Sequence, residues 1–216
     1  MSKKVSIIDY GVGNILSVKR AFEFCGAQVE VINTKEQITN AEVLVLPGVG
    51  AFKNAMYELI ERDLKDSIIE FSDTNKPMLG ICLGMQLLLE KSEEFGETNG
   101  LGIIQGEVVR IEDTTISGNY QKIPHVGWNS LKFPKHGDKS LWDKTILNGL
   151  AEGEDVYFVH SFTAKPTNNE NRLADSYYGG RTVSAAIKKG NVYGCQFHPE
   201  KSGEVGLKII KNFLEI

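Results

Sequence analysis

The chain reads as an α/β protein with a mostly parallel central sheet flanked by helices and a strand-rich second half. Two observations predict this. In the first half, short apolar runs at residues 5–8, 29–32, 43–46 and 77–81 alternate with segments of helical period, and near-continuous apolar runs are what strands buried on both faces require. From Gly106 onward the pattern changes to strands and turns, so the later strands extend or flank the parallel sheet.

The elements follow in order. A strand over 5–8 leads to a helix over 15–24, a strand over 29–32 and another over 43–46. Met56, Leu59, Ile60, Leu64, Ile68 and Phe71 recur at helical spacing, which predicts a helix within 51–71. A strand over 77–81 and a helix over 83–95 repeat the order. Strands are then predicted at 107–111, 126–133, 156–162, 172–178, 182–188 and 192–197, with Gly179-Gly180 as a hairpin turn. A closing helix over 204–215 carries Val205, Ile209, Ile210 and Phe213 on one side and Lys208 and Lys211 on the other, and so should pack back on the sheet. The polar segments 112–121, 135–154 and 165–171 are predicted to be surface loops.

With 216 residues and no Pro/Ser-rich or charged run to divide them, the chain is expected to form a single domain over 1–216. The net charge of −4 is spread along the sequence, which leaves no footprint for nucleic acid. The N-terminal apolar run soon meets Asp9 and is not read as a signal peptide, and no stretch approaches the length of a membrane span. Three widely spaced cysteines, Cys25, Cys82 and Cys195, fit a reducing cytoplasm.

The chemistry concentrates in Leu79-Gly80-Ile81-Cys82-Leu83-Gly84-Met85-Gln86. This segment sets a cysteine between two glycines at a strand-to-helix turn, the G-x-S-x-G nucleophile elbow with cysteine replacing serine. A helix N-terminus beside the sulfur favours the thiolate. Gln196-Phe197-His198-Pro199-Glu200 supplies a histidine and a carboxylate two residues apart. Pro199 biases His198 to an extended conformation that would put Glu200 on the same side, where it can orient the imidazole. Cys82, His198 and Glu200 thus make a nucleophile, base and orienter set. Cys195 is nearer His198 in sequence, but strand alternation points it away; Cys195 and Cys25 are read as packing residues. His125 and His160 lack a carboxylate two residues away, His136 lies in a polar segment that carries no motif, and no histidine or cysteine pair has metal-ligand spacing, so neither metal nor cofactor is expected.

Two glycine motifs remain. Asp9-Tyr10-Gly11-Val12-Gly13-Asn14 follows the first strand as a dinucleotide fingerprint would, but Leu16 occupies the third glycine position. Pro47-Gly48-Val49-Gly50-Ala51-Phe52 ends the third strand without the Lys-Ser/Thr of a phosphate loop; it is read as an oxyanion cradle.

These motifs, with Pro124-His125-Val126-Gly127-Trp128-Asn129, Tyr157-Phe158-Val159-His160-Ser161 and His198-Pro199-Glu200-Lys201-Ser202, resemble the class I glutamine amidotransferases over nearly the whole chain. Within that class they are most similar to the glutaminase subunits of imidazole glycerol phosphate synthases. The resemblance implies a flavodoxin-like fold and hydrolysis of glutamine to glutamate, with ammonia passed to a (β/α)8 cyclase subunit in histidine biosynthesis. It implies that Val49 and Leu83 supply oxyanion-hole N–H groups, and that Gly48, Gly50, Gln86, Glu94, Ser161 and Phe162 bind glutamine, Glu94 at the α-ammonium group. Asn14, Trp128, Tyr157 and Lys201 match positions near the cyclase. A paralogous glutaminase feeding another synthase, such as one amidating a nucleotide sugar, shares the motifs. A free-standing γ-glutamyl thiol hydrolase and a non-catalytic binding module are more distant alternatives.

Overall fold

The computed structural model describes residues 2–135 and 137–216; His136 lies outside the described residues. The first half runs β1 (Lys4–Ile8), α1 (Ile15–Phe24), β2 (Gln28–Ile32), α2 (Lys35–Asn40), β3 (Val43–Gly48), α3 (Phe52–Glu61), α4 (Lys65–Ser72), β4 (Met78–Cys82) and α5 (Leu83–Leu87). Next come β5 (Leu89–Ser92), β6 (Thr98–Asn99), β7 (Ile104–Arg110), β8 (His125–Ser130), β9 (Asp155–His160) and β10 (Phe162–Pro166). The chain closes with β11 (Arg172–Tyr178), β12 (Arg181–Lys189), β13 (Val192–Cys195) and α6 (Gly203–Glu215).

A seven-stranded sheet is ordered β11-β12-β13-β4-β3-β1-β2. The run from β13 to β2 is parallel, and β12 and β11 extend it antiparallel. Alternation along the parallel strands divides the core. Val5, Ile7, Val43, Val45, Leu79 and Ile81 face one layer, with α1 and α6. Ile8, Leu44, Leu46 and Met78 face the other, with α2, α3 and α4. The β13-β4 pairing inserts a strand from the end of the chain beside one from its first half. Consequently four loops open together at the carboxyl ends of β1, β3, β4 and β13, the edge where open parallel sheets place their sites.

Several sequence expectations need correction. The helix expected over 51–71 is two helices, separated by a turn in which Asp63 adopts φ +57°. The helix expected over 83–95 ends at Leu87. Leu87, Leu88 and Leu89 are all buried, and their carbonyls accept from Leu101, Ile104 and Gly102, so a returning segment takes the place of helical pairing. The strand expected over 156–162 breaks at Ser161 into β9, which pairs with β8, and β10, which pairs with β7. Nor is 135–154 merely a surface loop: Trp142, Ile146, Leu147 and Leu150 are in the core, and the Trp142 indole donates to the Leu173 carbonyl at 2.8 Å. Among the described residues, no helix is long and apolar enough to cross a membrane.

Candidate active site

The elbow is built by close approach. Cys82 takes φ +53° and ψ −109°, a strained conformation for a residue with a side chain, costing on the order of 1–3 kcal/mol. The flanking glycines have ordinary φ and serve instead as gaps. A Cβ on Gly80 would lie 2.7 Å from the Gly84 carbonyl oxygen, and one on Gly84 would collide with the Leu46 carbonyl. Leu83, Met85 and Leu87 are buried beyond the turn, and each contributes roughly 1.5–3 kcal/mol. That burial exceeds the strain and fixes the sulfur at the sheet edge.

The neighbouring loops close against this turn. Gly48 pairs with Cys82 across β3 and β4, and a Cβ there would come within 2.6 Å of the Tyr10 hydroxyl. Tyr10 is fully buried and donates to the Pro47 carbonyl at 2.8 Å. The glycine loop after β1 therefore packs beneath the end of β3, with Gly13 against Pro47 and Gly48. Gly50, at φ +98°, turns the chain into α3. Val49 between them is 40% exposed.

His198 leaves β13 with φ −99° and ψ 97°, and residues 199–201 form a 3-10 turn. The extended path that Pro199 predicts is not formed, yet the turn brings Glu200 to the same side of His198. The His198 Nδ1 to Glu200 Oε1 distance is 2.8 Å, and both side chains are almost fully buried. Three hydrogen bonds hold the turn: His198 N–H donates to the Tyr157 carbonyl, and Ser202 Oγ donates to the His198 carbonyl at 2.6 Å while accepting from Tyr157 N–H. Burial opposes charge on His198, but the sulfur of Cys82 and then the carboxylate of Glu200 outweigh it, pushing its pKa up to about 9. Its Nε2 is buried with no well-formed hydrogen bond among the described residues.

Cys82 and His198 border a cavity of about 380 Å³ together with Val49, Gly50, Leu83, Gln86, Glu94, Ser161 and Phe162. Gly48, which the resemblance assigns to glutamine binding, is not among the residues that line the cavity and packs instead against Tyr10, Leu83 and Gly84. Glu94 arrives on the loop after β5, where Oε2 accepts from Phe52 N–H at 2.7 Å at the start of α3. Gln86 Nε2 donates to the Phe162 carbonyl at 3.0 Å and to Gln196 Oε1 at 3.1 Å. Pro124, Val159 and His160 complete the lining. Sequence reasoning assigned those three and Gln196 no part in the site; only the long-range pairing of β8, β9 and β13 brings them there. Gln196 Nε2 reaches Cys82 Sγ at 3.9 Å.

The positions matched to a partner interface lie beyond this cavity. Trp128 is 58% exposed and meets the Tyr157 ring edge-on, with centroids 6.1 Å apart. Asn14 caps α1, accepting from Ser17 N–H at 3.4 Å, and Lys201 is exposed on the 199–201 turn. Among the described residues, no cluster of three or more His, Cys, Asp or Glu is placed to hold a metal ion.

Residues 6–216 match the sequence profile of the class-I glutamine amidotransferase family. The chain is 53% identical over 212 residues to imidazole glycerol phosphate synthase subunit HisH 1 of Legionella pneumophila (strain Lens), covering 98% of this chain and 99% of the relative. It is 46% identical over 212 residues to imidazole glycerol phosphate synthase subunit HisH of Geobacillus sp. (strain WCH70), covering 98% and 96%. Among solved structures, PurLQS from Thermotoga maritima shares the fold with a TM-score of 0.71 at 18% identity, covering 100% of this chain and 99% of that one. A glutamine amidotransferase crystal structure has the same TM-score of 0.71 at 17% identity, covering 98% and 99%. The chain belongs to the class-I glutamine amidotransferase family.

Proposed function

We propose that this chain is the glutaminase subunit of an imidazole glycerol phosphate synthase, releasing ammonia from glutamine for a (β/α)8 cyclase subunit. The observation that carries this reading is the 46–53% identity to HisH subunits over nearly the full length, joined to a cavity bordered by Cys82 and by the Glu200-held imidazole of His198. In this reading Cys82 gives its thiol proton to His198 Nε2 and Sγ attacks the glutamine side-chain amide carbon, the oxygen gaining charge as the C–S bond forms. N–H groups of Leu83 and Val49 bind that oxygen, the Gly48-Val49 peptide reorienting to complete the hole. His198 Nε2 protonates the nitrogen, the C–N bond breaks, and ammonia leaves a glutamyl thioester. Water then gives a proton to His198 and attacks the thioester carbon, the C–S bond breaks to release glutamate, and His198 returns the proton to the sulfur, restoring the thiol. Glu200 holds Nδ1–H throughout. Glu94 takes the α-ammonium group, while Gln86, Gly50, Ser161 and Phe162 hold the rest of the substrate.

Asn14, Trp128, Tyr157 and Lys201 form the cyclase-facing surface. Tyr157 supports this directly, because its backbone staples the His198 turn while its ring meets Trp128. A docked partner that shifts β9 shifts the base. The test is glutamate release by the chain alone, with the cyclase, and with the cyclase plus its ribonucleotide substrate. The expected result is weak turnover alone, strong stimulation in the full assembly, and loss of that stimulation in Lys201→Ala. Full turnover by the isolated chain would instead support a free-standing hydrolase.

A further inference from the structure

A polar chain runs from the wall of the glutamine cavity, which His160 and Phe162 line, to half-buried Asn129, and the steps above give its two histidines no role. Asn129 Nδ2 is 3.3 Å from His125 Nε2, His125 Nδ1 is 3.0 Å from His160 Nε2, and His160 Nδ1 is 2.7 Å from the Phe162 carbonyl. Its two ends fix every proton. The Phe162 carbonyl can only accept, so His160 carries its proton on Nδ1, and neutral His160 then presents a lone pair at Nε2. His125 must donate to that lone pair from Nδ1, which leaves its own Nε2 to accept from Asn129. The Asn129 amide cannot be turned over, since Oδ1 accepts from Ser130 N–H at 2.8 Å and Nδ2 also donates to the Tyr177 carbonyl at 2.9 Å.

We propose that His125 and His160 are positioning residues, a one-directional relay that holds the Phe162 carbonyl in the cavity wall and ties it to Asn129 on the partner-facing strand β8. The Phe162 carbonyl also accepts from Gln86 Nε2, so its two lone pairs are shared between the relay and a residue that reaches, through Gln196, toward Cys82. The His125 ring is clamped between Tyr178 and Phe158, with centroids 4.2 and 4.9 Å away and interplanar angles of 25° and 21°. It cannot swing without leaving both rings. A second proton on either imidazole would face a donor, and burial depresses His125 to about 4 and, as the largest effect, His160 to about 3. Both histidines are therefore neutral with Nδ1–H at neutral pH. Asn129 follows exposed Trp128 on β8, so a partner seated on Trp128 bears on the residue from which the hydrogen-bonded path to the substrate wall begins. The role rests on the glutaminase reading; the proton order does not.

His125→Phe keeps both ring contacts and removes both hydrogen bonds, while His125→Gln can still donate to His160 and accept from Asn129. In the complex with the cyclase, His125→Phe is expected to raise KM for glutamine roughly tenfold, the effect of about one lost hydrogen bond, with a smaller change in kcat. His125→Gln should recover most of the loss. A wild-type KM in folded His125→Phe, or a Gln variant no better than the Phe variant, would overturn the proposal. Nitrogen-15 spectra of histidine-labelled wild-type protein at neutral pH test it without any variant. His125 and His160 should both be neutral with the proton on Nδ1; an Nε2–H tautomer or an imidazolium at either would overturn it. If wild type in the complex hydrolyses no glutamine while both tautomers are as expected, the glutaminase reading has failed and the relay stands as structure.

Discussion

Cys82 and Cys195 end neighbouring strands of one sheet, in a register that sets Cys195 directly beside Ile81, yet their surroundings differ in kind. Cys195 keeps regular strand geometry, is completely buried in the core layer shared with α1 and α6, and its thiol is pushed well up by burial and then by the Glu200 carboxylate. Cys82, one residue past the pairing, enters the left-handed region and borders the cavity with His198. A thiol's chemistry here is decided by the local backbone and by access to a base, not by distance along the chain from His198.

The largest expected effect is on the first cysteine. Cys82→Ala should lower glutamine hydrolysis by at least about a thousandfold, because the covalent route disappears; steady-state glutamate release in the cyclase complex measures it. The next effect falls on the base. His198→Asn should cost roughly 10²–10⁴-fold, and Glu200→Gln less, since the imidazole remains but loses its orienter. Synthesis driven by added ammonium salts should survive in both variants, which separates lost chemistry from lost folding. His198 also has a signature in stability. Its folded pKa is raised above the unfolded value, so its contribution is fully present below about pH 6.5 and is lost as pH rises through about 9. Glu200→Gln removes one cause of that rise, so NMR titration should find the His198 midpoint lower than in wild type. The smallest effect is on the second cysteine. Cys195→Ser should leave kcat within about twofold and lower stability by about 1–3 kcal/mol, the cost of a buried hydroxyl without a partner, readable from denaturant unfolding.

The sequence made the elbow legible because its parts are contiguous: two glycines, a cysteine and the apolar residues after it report one turn. His198 and Glu200 were legible for the same reason, although the backbone between them is a 3-10 turn and not an extended strand. The parallel strands β1 to β4 were legible from their apolar runs. What escaped is what depends on long-range pairing. Glu94, which only the family resemblance singled out, reaches the cavity because the chain leaves the helix at Leu87 and folds back through β5, a path that three consecutive buried leucines do not reveal through periodicity. His160, Val159 and Pro124 enter the wall through the β8-β9 ladder. Gln196 sits two residues from His198, yet its contact with Gln86 spans 110 positions, and no local pattern encodes it.

Covalent trapping of the proposed nucleophile Cys82 distinguishes it most directly from the other two cysteines. The protein in complex with the cyclase is incubated with a glutamine analogue bearing an electrophile at the side-chain carbonyl, and the adduct is mapped by peptide mass spectrometry. A single modification on Cys82 is expected, slowed by excess glutamine and strongly reduced in His198→Asn. Modification of Cys195 or Cys25 with Cys82 untouched would contradict that assignment.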